Sequence, residues 1–132
     1  MFLNKLNSEE KVAFLKLAHH IARSDGDFDE EEKLTISTYS MEMGIDDTGY
    51  NQDTFNLKDT LSIISNMQSR KIVLMEIMAL VYADDIVSES ERKILSSITT
   101  SFELEYSEAV ICKEWAKATL ALVAQGQAII EL

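Results

Sequence analysis

The sequence predicts an all-α protein, a small bundle of about six or seven helices. Three observations lead there. Apolar residues recur at helical spacing along most of the chain, and no stretch shows the strict alternation of a half-buried strand. Proline is absent, and the four glycines, Gly26, Gly44, Gly49 and Gly126, fall where a helix would stop or a loop would turn. Capping residues also stand just ahead of the periodic segments, at Asn7-Ser8-Glu9-Glu10, at Asp29 with Glu32, and at Ser88-Glu89-Ser90-Glu91.

Taken in order, the first helix runs from about Ser8 to Ser24, with Phe14, Leu17, Ala18 and Ile21 on one face. The second opens at Asp29, presents Leu34, Ile36, Tyr39 and Met43, and stops at Gly44. Residues 45–56 read as a loop, and a short helix follows near Leu57–Asn66. The fourth, about Ser69 to Ala83, is apolar all round apart from Glu76 over residues 72–83, which marks it as central. The fifth presents Leu95, Ile98 and Phe102. The sixth begins near Ser107, lines up Ile111, Trp115, Ala118 and Leu122, and stops before Gly126; the tail Ile129–Leu132 continues it or docks on the body.

The chain has 132 residues, a length that suits one domain burying about two-thirds of the surface its unfolded form exposes. Its net charge is −11, from 23 acidic and 12 basic residues, which argues against nucleic acid and anionic membrane as partners. One cysteine makes no internal disulfide, the N-terminus has no signal-peptide core, and no apolar run is long enough to span a bilayer. A soluble cytoplasmic protein is the expectation. The charge is uneven: residues 1–23 carry +2, residues 24–66 carry −9 and residues 67–132 carry −4.

A shift of 59 residues overlays Leu15 on Leu74, Ile21 on Leu80, Asp25 on Asp84, Glu30 on Glu89, Glu32 on Glu91, Ile36 on Leu95 and Met43 on Phe102. This predicts an internal duplication of helix, acidic loop and capped helix. Repeat 1 covers about 8–45, a linker with the short helix 46–67, repeat 2 about 68–104, and the final helix about 107–126.

The first acidic loop reads Ser24-Asp25-Gly26-Asp27-Phe28-Asp29-Glu30-Glu31-Glu32. Such oxygen-rich clusters suit hard cations, Ca²⁺ or Mg²⁺. It is not an EF-hand: with Asp25 as position 1, Glu30 stands where the invariant glycine belongs and Ile36 where the bidentate glutamate belongs. Residues 29–32 also sit where capping and the helix dipole favour acids without any ligand. Asp25 and Asp84 differ, because each follows a helix C-terminus, where the dipole disfavours a carboxylate. An Asx-turn explains that placement, and so does a bound cation or a basic partner. The second loop is weaker, with Asp85 in the place of Gly26 and Ile86 in the place of Asp27.

The segment Ile21-Ala22-Arg23-Ser24-Asp25-Gly26-Asp27-Phe28-Asp29-Glu30-Glu31-Glu32-Lys33, echoed by Val81-Tyr82-Ala83-Asp84-Asp85-Ile86-Val87-Ser88-Glu89-Ser90-Glu91-Arg92, resembles the TerB-like family of bacterial tellurite-resistance and stress-response proteins. The resemblance covers roughly residues 8–125 and implies a small, duplicated all-helical domain. It also implies metal binding through the acids and a place in protein assemblies at the cytoplasmic membrane face, without direct membrane insertion. Matched residue by residue, the implied ligands are Asp25, Glu32, Asp84 and Glu91, with Asp27 and Asp29 assisting. The Asp84-Asp85 departure weakens the second half. A similar domain is fused to J-domain co-chaperones, but a proline-free chain cannot carry their His-Pro-Asp motif.

The expected function is therefore a non-enzymatic, divalent-cation-binding interaction module. The alternative is a metal-independent acidic helical adaptor that docks a basic protein partner, and a homodimer is compatible with either. A metal-dependent hydrolase is the remaining class, but the chain offers no nucleophile–base pair. His19 and His20 are adjacent, with one expected at an interface and one exposed; Cys112 reads as a packed thiol. Glu76 needs a partner for its charge, in Tyr39, Tyr82 or a helix start, or else belongs to a ligand site. The methionines, among them Met41, Met43, Met75 and Met78, read mainly as core filler.

Overall fold

In the computed structural model, which describes all residues except Thr48, Asp84 and Asp85, the described residues form helices and connecting turns and no strand. A 3₁₀ turn at Leu3–Lys5 precedes α1 (Ser8–Ala22), α2 (Glu30–Met43), α3 (Leu57–Ser62), α4 (Met67–Val81), α5 (Glu89–Ser101) and α6 (Tyr106–Ile130). Helix α4 is central: α6 lies along it, and α1, α5 and the N-terminal 3₁₀ turn also pack on it. One continuous apolar core joins Phe14, Leu17 and Ile21 of α1 to Ile36 of α2, to Val73, Leu74 and Ile77 of α4, and to Ile98 of α5. Phe14 meets Tyr39 edge-on, with ring centroids 5.2 Å apart.

The backbone chemistry of the two helical pairs recurs at a spacing of 59 residues. Asn7 and Asn66 cap α1 and α4, their side chains accepting the amides of Glu10 and Ser69. Asp29 and Ser88 cap α2 and α5, and the third helical residue of each, Glu32 or Glu91, returns a carboxylate to the cap amide. Each capping box satisfies two amides that a helix start leaves without partners. At the far ends, Gly44 (φ +66°) and Glu103 (φ +59°) both adopt the left-handed conformation. The amides after them, of Ile45 and Leu104, reach back to the carbonyls of Ser40 and Thr99 at 3.2 and 3.1 Å. That bond closes a Schellman-type stop, for which glycine is the unstrained residue; Glu103 holds the same geometry at a cost of about 1 kcal/mol.

Several expectations are corrected. Gly126 lies inside α6, which runs on to Ile130. A helix tolerates an interior glycine at about 1 kcal/mol relative to alanine, and good helix formers flank this one, Ala124 and Gln125 before it and Gln127 and Ala128 after it. The expected inner face of α6 is rotated: Cys112 and Ala116 are buried, whereas Ile111 and Leu122 are 69% and 67% exposed. The small Cys112 and Ala116 join the core, and Trp115 packs partly against it with its ring 5.8 Å from that of Phe2, while Ile111 and Leu122 point outward. On α2 the expected face keeps Ile36, Tyr39 and Met43 inward, joined by Ser40, whereas Leu34 is exposed. Helix α3 ends at Ser62, since Asn66 caps α4 instead of closing α3. Met43 and Met78 are buried, but Met41 is exposed and fills no core space. Of the histidines, His19 is buried and His20 half-buried, so neither is the exposed one. Among the described residues no helix is long and apolar enough to cross a membrane.

Candidate acidic site between the helical pairs

The loop from α1 to α2 is shaped before any ligand is considered. The Ser24 hydroxyl donates to the carbonyl of Ile21 at 2.7 Å, and the Gly26 amide to that of Arg23 at 3.1 Å. Gly26 sits at φ +83°, a conformation side chains disfavour. Asp25 forms an Asx-turn, its Oδ1 accepting the Asp27 amide at 2.9 Å. A carboxylate has about four lone-pair sites, so this turn and a bound cation are compatible uses of the same side chain. Asp29 Oδ1 then accepts the Glu32 amide at 2.8 Å while Glu32 Oε1 accepts that of Asp29 at 3.3 Å.

On the other pair, Ser88 Oγ accepts the Glu91 amide at 3.1 Å and Glu91 Oε1 the Ser88 amide at 2.9 Å. Glu32 and Glu91 are half-buried, whereas Asp25, Asp27 and Asp29 are exposed. Glu32 is the electrostatic centre. Burial, reinforced by the negative charges of Asp29, Asp25 and Glu91, pushes its carboxyl up to about 7, against the lowering effect of its bond to the Asp29 amide. Four of the six candidate ligands, Asp25, Asp29, Glu32 and Glu91, thus share one field. Asp27 enters through its backbone amide, and Asp84 lies outside the described residues. Among the described residues, no three His, Cys, Asp or Glu side chains form a group able to hold a metal ion.

A brace that sequence reasoning missed stands beside the loop. The Arg23 guanidinium lies 4.1 Å from the Phe28 ring centroid and 5.4 Å from that of Tyr50. His19 stacks on Tyr50 at 5.4 Å, and its Nε2 meets Asp47 Oδ1 at 2.6 Å. His20 stacks on Phe55 at 4.3 Å. The 45–56 loop is thereby tied to the α1 end of the acidic loop. The legible signal was the aromatic pair Tyr50 and Phe55 inside an otherwise polar loop.

Glu76 belongs elsewhere. Its carboxylate is buried and meets the α-amino group of Met1 at 3.2 Å, which Glu42 also binds at 3.0 Å. Burial raises its pKa and the ammonium opposes that rise. Tyr39 donates its hydroxyl to the backbone carbonyl of Glu76 at 3.4 Å, not to the carboxylate. Cys112 is a buried thiol, its pKa raised by burial, as expected of packing and not of nucleophilic reactivity.

No family model, curated protein or solved structure matches the chain.

Proposed function

We propose that this chain is a non-enzymatic, TerB-like interaction module whose acidic loops take up a divalent cation, Ca²⁺ or Mg²⁺, in a cytoplasmic bacterial stress-response system of the tellurite-resistance type. The observation that carries the reading is electrostatic: the charges of Asp29 and Asp25 in its own loop and of Glu91 in the other helical pair all raise the pKa of the Glu32 carboxyl. Like charges gathered on a half-buried carboxylate repel one another, and a hard cation relieves that repulsion. Carboxylate oxygen is also the donor type those cations prefer.

An internal duplication accounts for the geometry. The matched caps at Asn7 and Asn66 and at Asp29 and Ser88, with the matched left-handed stops at Gly44 and Glu103, favour two copies of one unit over chance similarity. In this reading, cation binding joins the two units and sets the acidic surface that a protein partner meets.

Titration calorimetry with Ca²⁺, Mg²⁺ and Zn²⁺ tests the proposal, on the wild type and on Asp25→Asn. Saturable heat in the wild type, weakened in the variant, supports it. No heat and no change in melting temperature at millimolar cation overturns it in favour of the metal-independent adaptor.

A further inference from the structure

We propose that the cleft where the end of α4 meets α5 and the start of α6 binds a small amphipathic anion, a carboxylate carrying a medium-length aliphatic chain. The cleft has a volume of about 430 Å³, toward the lower end of the roughly 300–1,000 Å³ of small-molecule sites. Its apolar lining comes from all three helices and the turn between the last two: Met78 of α4, Leu95 of α5, Leu104 of the turn and Val110 of α6. These side chains are aliphatic, and methionine adapts its shape to what it meets. A larger groove of about 740 Å³ lies between α3 and α5, but Leu57 and Leu61 are its only apolar lining and its lysines, Lys58 and Lys93, are both exposed.

Charge selects the occupant. In a chain of net charge −11, the cleft is lined by two cations, Arg92 and Lys113. Among the described residues neither has a carboxylate within ion-pair distance. Glu108, an acid of the same helix as Lys113, is engaged by Lys71 of α4 at 3.4 Å. Arg92 spends only its Nε, on the carbonyl of Val87 at 3.5 Å, so its two terminal nitrogens are open to a ligand. Lys113 is half-buried, its ammonium 5.4 Å from the Tyr82 ring centroid, and Lys117 lies 5.9 Å from the same ring. The aromatic face compensates part of that burial, and an anion beside the ammonium compensates more. An uncharged apolar ligand leaves these cations unanswered, and a bare anion makes no use of the aliphatic lining. A carboxylate with an aliphatic chain satisfies both, its head between Arg92 and Lys113 and its chain against Leu95, Leu104 and Val110.

Amide-shift titration of the full chain by NMR tests this, with octanoate as the probe and with acetate and 1-octanol as its two halves, in chelator so that the acidic loops hold no cation. The expected result is a saturable octanoate response centred on Tyr82, Leu95, Leu104 and Val110, with a Kd of roughly 0.1–1 mM. Acetate gives no saturation, and 1-octanol binds at least about fivefold more weakly than octanoate. Arg92→Gln and Lys113→Gln each raise the octanoate Kd about fivefold or more, while Lys58→Gln in the larger groove leaves it unchanged. Arg92 is exposed and Lys113 lies at the surface of α6, so both variants keep the wild-type circular dichroism and cooperative melt. No saturable shift up to about 10 mM octanoate overturns the proposal. So does binding that neither variant weakens, binding centred on the α3–α5 groove, or 1-octanol bound as tightly as octanoate.

Discussion

Replacing Glu32 by glutamine removes the central charge while keeping the helix cap, since glutamine at that position also accepts the cap amide. The size of the effect follows from proton linkage. Glu32 titrates at about 7 in the folded chain against 4.5 ordinarily, chiefly because it is buried and then because of its acidic neighbours. Between those values the folded state holds a proton that the unfolded state has released. The sign is that of a raised carboxylate: its contribution to stability is fully present below about pH 4.5 and is lost as pH rises through about 7. The complete shift corresponds to about 3.4 kcal/mol, but solvent reaches the side chain and screens most of it, leaving about 1 kcal/mol. Glu32→Gln is therefore expected to be more stable than wild type by about 1 kcal/mol at pH 8, or about 3–5 °C in Tm, with the gap closing toward pH 5. Urea denaturation followed by circular dichroism in chelator, at intervals from about pH 5 to 8, measures it. A variant no more stable than wild type at pH 8, or a gap that does not change with pH, refutes the reasoning.

The remaining predictions concern the frame that holds the loops. Gly44→Ala forces a side chain into a left-handed stop and should cost about 1 kcal/mol by urea melt, while Glu103→Gly at the matching position should gain up to about 1 kcal/mol. Gly126→Ala meets open space inside α6 and should raise helix stability by about 0.5–1 kcal/mol, seen as slower amide exchange over residues 120–130. Phe102→Ala empties a fully buried site and should cost about 3–5 kcal/mol in the same melts.

Where helices start was legible because the signals are local. A side-chain acceptor followed by an acid three residues later satisfies its own amides, and Asp29 with Glu32 and Ser88 with Glu91 do so as read. The inward faces were less legible. Ile111 and Leu122 have the period of a core stripe, but periodicity reports that a face is apolar and not which surface covers it. Gly126 misled for a related reason: glycine permits a stop, and only the geometry beyond it decides. The acidic site was half legible. Asp25, Asp29 and Glu32 are neighbours in sequence, while the approach of Glu91 depended on a 59-residue register and on how the two helical pairs pack. The Arg23, Phe28 and Tyr50 brace needed the path of the 45–56 loop, which no local pattern encodes. Glu76 carried a clear demand for a partner, but the α-amino group that meets it comes from 75 residues away.

The central claim is that a cation binds at Glu32, and binding there must displace the proton the carboxyl holds. The direct measurement is the proton count released on Ca²⁺ or Mg²⁺ binding at pH 7, from calorimetry in two buffers of different ionisation enthalpy. With Glu32 titrating at about 7, about half a proton per cation is expected from wild type and almost none from Glu32→Gln. Cation binding that releases no proton, or releases the same number in both proteins, would contradict the account.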